Sequence, residues 1–252
     1  MGTIIAVNGK GGTGKTTVAS LIIKGLTRRG KASVLAIDAD PNSCLAESLG
    51  VDAVSSIVGV CEEISKNMDT IPRGMTKDRY IEMKVQESLI ETEDFDLLLM
   101  GRPEGPGCYC YVNNLLRDII GDITKSYDFI VIDNAAGMEH ISRRTTMEIT
   151  KLVLVSDYSS IGVRSARRIY DLAGEIGVKM SGAYLVINKM SGPLSAIKPD
   201  IEKADIEVAG EIPYSSKVSD WAVSNKPISY LADAQITQSV EEILDKILKG
   251  VR

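Results

Sequence analysis

The sequence is poor in aromatics, with 2 Phe and 1 Trp among 252 residues. Its core must therefore be aliphatic. It has a single histidine, His140, and four cysteines. Four thiols are too few for a disulfide scaffold at this length and fit a reducing compartment. One histidine and no second close cysteine pair leave no complete four-ligand zinc set within one chain. Basic residues do not dominate: 29 Lys and Arg stand against 34 Asp and Glu, a net charge of -5. That balance argues against a nucleic-acid binder held mainly by charge, though a local basic patch stays open. No apolar run approaches the roughly 20 residues of a membrane span. The N-terminus lacks the basic flank and cleavage site of a signal peptide. After Met1-Gly2, Ala6 stands where a myristoylation signal carries Ser or Thr. The expectation is a cytoplasmic protein with neither membrane nor nucleic acid as partner.

What is present is a rhythm of short aliphatic runs between helical patterns. Candidate strands are Thr3–Val7, Ser33–Ile37, Asp96–Met100, Phe129–Asp133, Leu152–Val155, Ala183–Ile187 and Glu207–Ile212. None alternates cleanly, as befits strands covered on both faces. Thr16–Arg29, Val163–Ile176 and Ser239–Leu248 carry apolar residues at helical spacing. The pattern predicts an α/β fold: a doubly wound, mainly parallel sheet of about seven or eight strands flanked by helices. No linker divides the chain, so 1–252 reads as one domain. Residues 51–94 are a polar stretch, helical around Met75–Ile90, and read as a lid or an elaborated crossover.

The strongest local signal is GKGGTGKTT, residues 9–17, between the first strand and the first helix. Gly9, Gly11, Gly12 and Gly14, with Thr13 among them, allow a tight turn whose N–H groups face an anion. Lys15 supplies a point charge to the β- and γ-phosphates, and the Thr16 hydroxyl is placed to ligate Mg²⁺. Thr17 follows in the helix, whose N-terminus adds partial positive charge. Asp38 and Asp40 end the second strand in IDADP, where carboxylates can hold Mg²⁺ through water and orient an attacking water. Asp133 follows four apolar strand residues, a costly place for an acid unless it serves a site or is paired. Asn188-Lys189-Met190-Ser191 departs from the guanine signature, which weakens a GTPase reading.

The extra lysine, Lys10, makes the loop resemble the deviant phosphate loop of the MinD, ParA and nitrogenase-iron-protein group of ATPases. That resemblance implies ATP and ADP as ligands, with Mg²⁺, and an ATP-driven homodimer in which Lys10 reaches the partner's nucleotide. It assigns water activation to Asp40, a supporting role near Mg²⁺ to Asp38, and a water-mediated Mg²⁺ contact to Asp133. Gly137 matches the glycine that senses the γ-phosphate. Asn188 falls where an Asn reads the adenine edge, and Pro213 where the base-binding loop lies. Lys10, Lys15 and Asp40 are thus the candidate catalytic residues.

Residues 101–117, GRPEGPGCYCYVNNLLR, bring two thiols, Cys108 and Cys110, within reach of one metal ion. Two chains around a two-fold axis would supply four thiolates, a soft set suited to Zn²⁺, Cu⁺ or Ni²⁺. A redox pair or a structural pair are the other readings, with the redox bridge strained across one residue. With DADPNSCL and DNAAGMEH, the segment resembles the CooC-type ATPases. These are nickel-insertion factors for carbon monoxide dehydrogenase and, in related branches, acetyl-CoA synthase. The resemblance implies a Ni²⁺ or Zn²⁺ site shared across the dimer at Cys108 and Cys110, and a nickel enzyme as client. Two other functions stay open: a ParA- or MinD-like spatial organiser, and an iron–sulfur electron donor using the same thiols. Cys44 and Cys61 read as small buried residues or a third ligand. His140 reads as a hydrogen-bonded structural residue, Trp221 as packing or a partner contact, and Arg164, Arg167 and Arg168 as a solvated helix face. The C-terminal stripe Val240, Ile243, Leu244, Ile247, Leu248 reads as a helix packed on the sheet, not a membrane anchor.

Overall fold

The computed structural model describes residues 2–52, 55–66, 71–101, 121–135, 149–224 and 226–250. Cys108, Cys110, Gly137 and His140 lie outside them. One eight-stranded sheet runs through the described residues in the order β3-β4-β2-β5-β1-β6-β7-β8. The strands are β1 (Thr3–Gly9), β2 (Val34–Ala39), β3 (Ile90–Glu91), β4 (Asp96–Leu99), β5 (Phe129–Asn134), β6 (Ile149–Asp157), β7 (Met180–Met190) and β8 (Glu207–Pro213). All pairings are parallel except β3 against β4.

The described helices are α1 (Lys15–Arg28), α2 (Cys44–Leu49), α3 (Ile57–Lys66), α4 (Lys77–Glu87), α5 (Ser160–Glu175), α6 (Lys198–Ala204), α7 (Ser216–Val223) and α8 (Ala234–Ile247). They sandwich the sheet because neighbouring strand residues point to opposite faces. Ile5, Val7, Val131 and Val153 meet α1 and α8 through Ile22, Leu26, Ile243 and Leu244. On the other face, Ile4, Leu35 and Ile130 pack against Ile57, Ile64, Ile81 and Val85 of α3 and α4. Ala6, Leu152 and Leu185 pack against Val163, Ala166 and Ile169 of α5. The strands are buried from both sides, which is why their sequences run apolar without alternation.

All seven predicted strands are present, several of them longer than the apolar runs. The polar stretch 51–94 is an elaborated crossover: α3 and α4 cover the sheet, and α3 was not foreseen. The stretch also ends in the short edge strand β3, which sequence reading missed. Cys61 is buried as expected, at 2% exposure. Cys44 is exposed, contrary to expectation, because it opens α2 on the solvent side while Leu45 and Ala46 turn inward. No described helix is long and apolar enough to cross a membrane.

Candidate functional site

The site lies at the carboxyl ends of β1, β2, β5 and β7. At these ends a doubly wound sheet opens its crevice and helix N-termini point inward. β1 delivers Gly9, and the chain loops through exposed Lys10, Gly11 and Gly12 before entering α1 at Lys15. Gly12 and Gly14 adopt left-handed backbone, at φ 83° and 88°. Gly14 has a second reason to lack a side chain: a Cβ there would sit 2.4 Å from Asn188 Nδ2. Thr13 closes the turn, its N–H and hydroxyl donating to the Lys10 carbonyl at 3.3 and 2.8 Å. Lys15 is buried, whereas Lys10 projects into solvent from the loop. Thr16 and Thr17 are half-buried in the first turn of α1.

Behind the loop, β2 and β5 place Asp38 and Asp133 as register partners, and both are fully buried. The Thr16 hydroxyl donates to Asp133 Oδ2 at 2.6 Å. Asp133 Oδ1 is buried without a hydrogen-bond partner among the described residues. Burial pushes the Asp133 carboxyl up to about 7, reinforced by the Asp38 charge and opposed by the Thr16 hydroxyl and Lys15. Asp38 is pushed up to about 6, again mainly by burial. An orphaned carboxylate oxygen beside a threonine hydroxyl, in a group that resists ionising alone, is what a missing cation would satisfy. Thr16 and Asp133 therefore fit Mg²⁺.

Asp38 is occupied differently. Its Oδ1 accepts from the Asp40 N–H at 3.1 Å and its Oδ2 from the Leu45 N–H at 2.9 Å. It thus holds the turn that carries Asp40 into α2. Asp40 is half-buried, and its Oδ1 accepts from the Asn42 N–H and side-chain amide at 2.9 and 3.0 Å. Ser43 completes the turn in left-handed backbone, at φ 50°.

From the far side, β7 closes on the loop. Asn188 Nδ2 donates to the Thr13 carbonyl at 2.8 Å, and Asn188 Oδ1 accepts from the Lys189 N–H at 2.9 Å. Sequence reading expected Asn188 at a base edge; its amide is turned onto the phosphate loop. Lys189, which sequence reading passed over, donates from Nζ to the Gly12 carbonyl at 2.9 Å. Pro213 ends β8 opposite Met190, and the next N–H, of Tyr214, donates to the Met190 carbonyl at 2.8 Å. The structure thus gathers residues 9–17, Asp38, Asp40, Asp133 and Asn188 around one crevice. Among the described residues no group of three or more His, Cys, Asp or Glu side chains could hold a metal by itself. Of the four cysteines weighed as metal ligands, Cys44 and Cys61 fall within them.

The geometry agrees with comparisons to known proteins. A family model described as "CobQ/CobB/MinD/ParA nucleotide binding domain" matches residues 4–228. An uncharacterised ATP-binding protein of Methanocaldococcus jannaschii is 42% identical over 249 residues, covering 97% of this chain and 98% of that protein. The carbon monoxide dehydrogenase accessory protein CooC of Rhodospirillum rubrum is 30% identical over 226 residues, 85% of this chain and 84% of CooC. Among solved structures, the MinD cell division protein of Aquifex aeolicus matches with a TM-score of 0.70 at 21% identity, covering 100% of this chain and 98% of MinD. With its loop, its buried carboxylates and its sheet order all in keeping, the chain belongs to the CobQ/CobB/MinD/ParA family of nucleotide-binding proteins.

Proposed function

We propose that the protein is an ATP-hydrolysing metallochaperone that dimerises around ATP and assists nickel insertion into carbon monoxide dehydrogenase or acetyl-CoA synthase. The observation that carries the nucleotide half is the bond from half-buried Thr16 to buried Asp133, whose Oδ1 is unpartnered among the described residues. Loop N–H groups and Lys15 receive the phosphates. Thr16 and Asp133 hold Mg²⁺, which when bound neutralises phosphate charge. Asp38 positions the turn bearing Asp40, and Asp40 orients the attacking water. Gly137 reports the γ-phosphate, Asn188 and Pro213 border the base, and exposed Lys10 reaches across to the partner subunit's nucleotide.

The metal half is supported by the match to the CooC accessory protein and by the Cys108-x-Cys110 segment. Ni²⁺, or Zn²⁺ in its place, is the cargo. Cys108 and Cys110 of each subunit supply four thiolates on the dimer axis, and the nickel enzyme receives the ion. Asp40→Ala separates nucleotide binding from hydrolysis. ATP should still bind within about threefold of the parent, while steady-state phosphate release falls by about a hundredfold or more. Unchanged turnover would remove Asp40 from its role.

A ParA- or MinD-like organiser is the second reading, favoured by the family match and by the fold shared with MinD. Against its membrane-binding form, the apolar stripe of α8 is already covered: Val240, Ile243, Leu244 and Ile247 are buried in the core. ATP-dependent co-sedimentation with liposomes or DNA would favour that reading.

A further inference from the structure

We infer that Lys189 is a positioning residue for the phosphate loop: its ammonium, with the Asn188 amide, braces the loop from β7 in the shape that receives an anion. The inference depends on the chain being a nucleotide-binding protein.

Three consecutive loop residues are engaged from the end of one strand. Lys189 Nζ donates to the Gly12 carbonyl at 2.9 Å and Asn188 Nδ2 to the Thr13 carbonyl at 2.8 Å. Gly14 leaves the space that Asn188 fills. The peptide following Gly12 is thereby held at both ends, its oxygen by Lys189 and its N–H by the Lys10 carbonyl. The next peptide has its oxygen fixed by Asn188. Because a trans peptide is planar, the Gly14 N–H then points the opposite way, away from β7. An anion-binding loop works by presenting N–H groups, so holding the Thr13 carbonyl outward leaves the Gly14 N–H as a donor facing inward, while the Thr13 N–H closes the turn on Lys10.

The brace is itself held in place. The Asn188 side-chain oxygen accepts from the Lys189 N–H, so the amide cannot turn over without losing that bond. Lys189 sits in left-handed backbone at φ 57°, a region that residues other than glycine adopt at a cost. That conformation lies at the carboxyl end of β7, where the pairing with β8 is irregular between Ile187 and Met190, and carries the ammonium over the loop. Lys189 is one of three described non-glycine residues with positive φ, and another, Ser43, shapes the turn that bears Asp40. Unusual backbone at two sides of one crevice is consistent with strain held where geometry matters.

The alternative is a lysine that contacts the base or simply solvates the surface. Two variants distinguish these. Lys189→Met removes the charge; Lys189→Gly removes it while favouring the left-handed backbone. Amide hydrogen exchange of residues 10–16 in nucleotide-free protein reads the brace without any ligand. Calorimetric affinities for Mg²⁺–ADP and for inorganic tripolyphosphate read its consequence. Both variants should melt near the parent and exchange their loop amides faster. Both should bind the two ligands about fivefold more weakly, by a similar factor for each. Lys189→Arg should recover part of the affinity. Exchange at the parental rate in both variants would overturn the inference. So would a loss confined to ADP, which would make Lys189 a base contact. If the parent chain bound neither ligand, the nucleotide reading would fail, and the exchange comparison would still decide the brace.

Discussion

Asp133 concentrates the chemistry of the site in one side chain. Its carboxyl is buried, bonded through one oxygen, and pushed up to about 7 against about 4 for an exposed aspartate. The sign of its contribution follows from linkage. Between the unfolded and folded pKa values the folded chain binds more protons than the unfolded one, so stability falls as pH rises through that window. Asp38, pushed up to about 6, adds to the same trend. Metal-free protein should therefore lose stability as pH rises from about 4 to about 7, the interval between the unfolded and folded values. Asp133→Asn should flatten that slope while abolishing Mg²⁺-dependent ATP hydrolysis. Denaturant melts of parent and variant at the two pH values check the first, and phosphate release the second. A slope unaltered in the variant would mean that Asp133 is ionised in the folded chain.

At the scale of elements, legibility followed locality. The phosphate loop could be read because its residues are contiguous and flanked by a strand and a helix. The brace could not, since Asn188 and Lys189 meet the loop across 175 and 177 residues. Seven strands were visible as aliphatic runs because both faces are covered. β6 was read too short because Lys151 interrupts its apolar run, yet Lys151 is buried, its ammonium 5.5 Å from the Tyr184 ring. β3 escaped because two residues carry no periodicity. α3 was passed over although Ile57, Cys61 and Ile64 stand at i, i+4 and i+7, the spacing of one helical face. Two substitutions test the packing described here. Gly14→Ala forces left-handed alanine and drives Asn188 away; it should cost about 1–2 kcal/mol and weaken ATP binding at least tenfold. Leu244→Ala opens a hole where α8 meets α1 at Gly25 and should cost about 2–5 kcal/mol without altering nucleotide affinity. Denaturant unfolding and calorimetry check both.

At the scale of the whole molecule, the proposed function of this acidic chain with four cysteines rests on association of two copies. In the proposed reading two thiols per chain make half a metal site, and Lys10, exposed on the phosphate loop, is the residue that would reach a second subunit's nucleotide. The apolar stripe of α8, Val240, Ile243, Leu244 and Ile247, is buried in the core. Light scattering of nucleotide-free, ADP-, ATP- and Ni²⁺-loaded protein, with metal counted per chain, tests the central claim most directly. The account predicts an ATP-bound dimer holding about one metal ion per two chains, and no such binding in the Cys108→Ala, Cys110→Ala double variant. Metal bound equally tightly by the double variant, or at one ion per monomer, would contradict it.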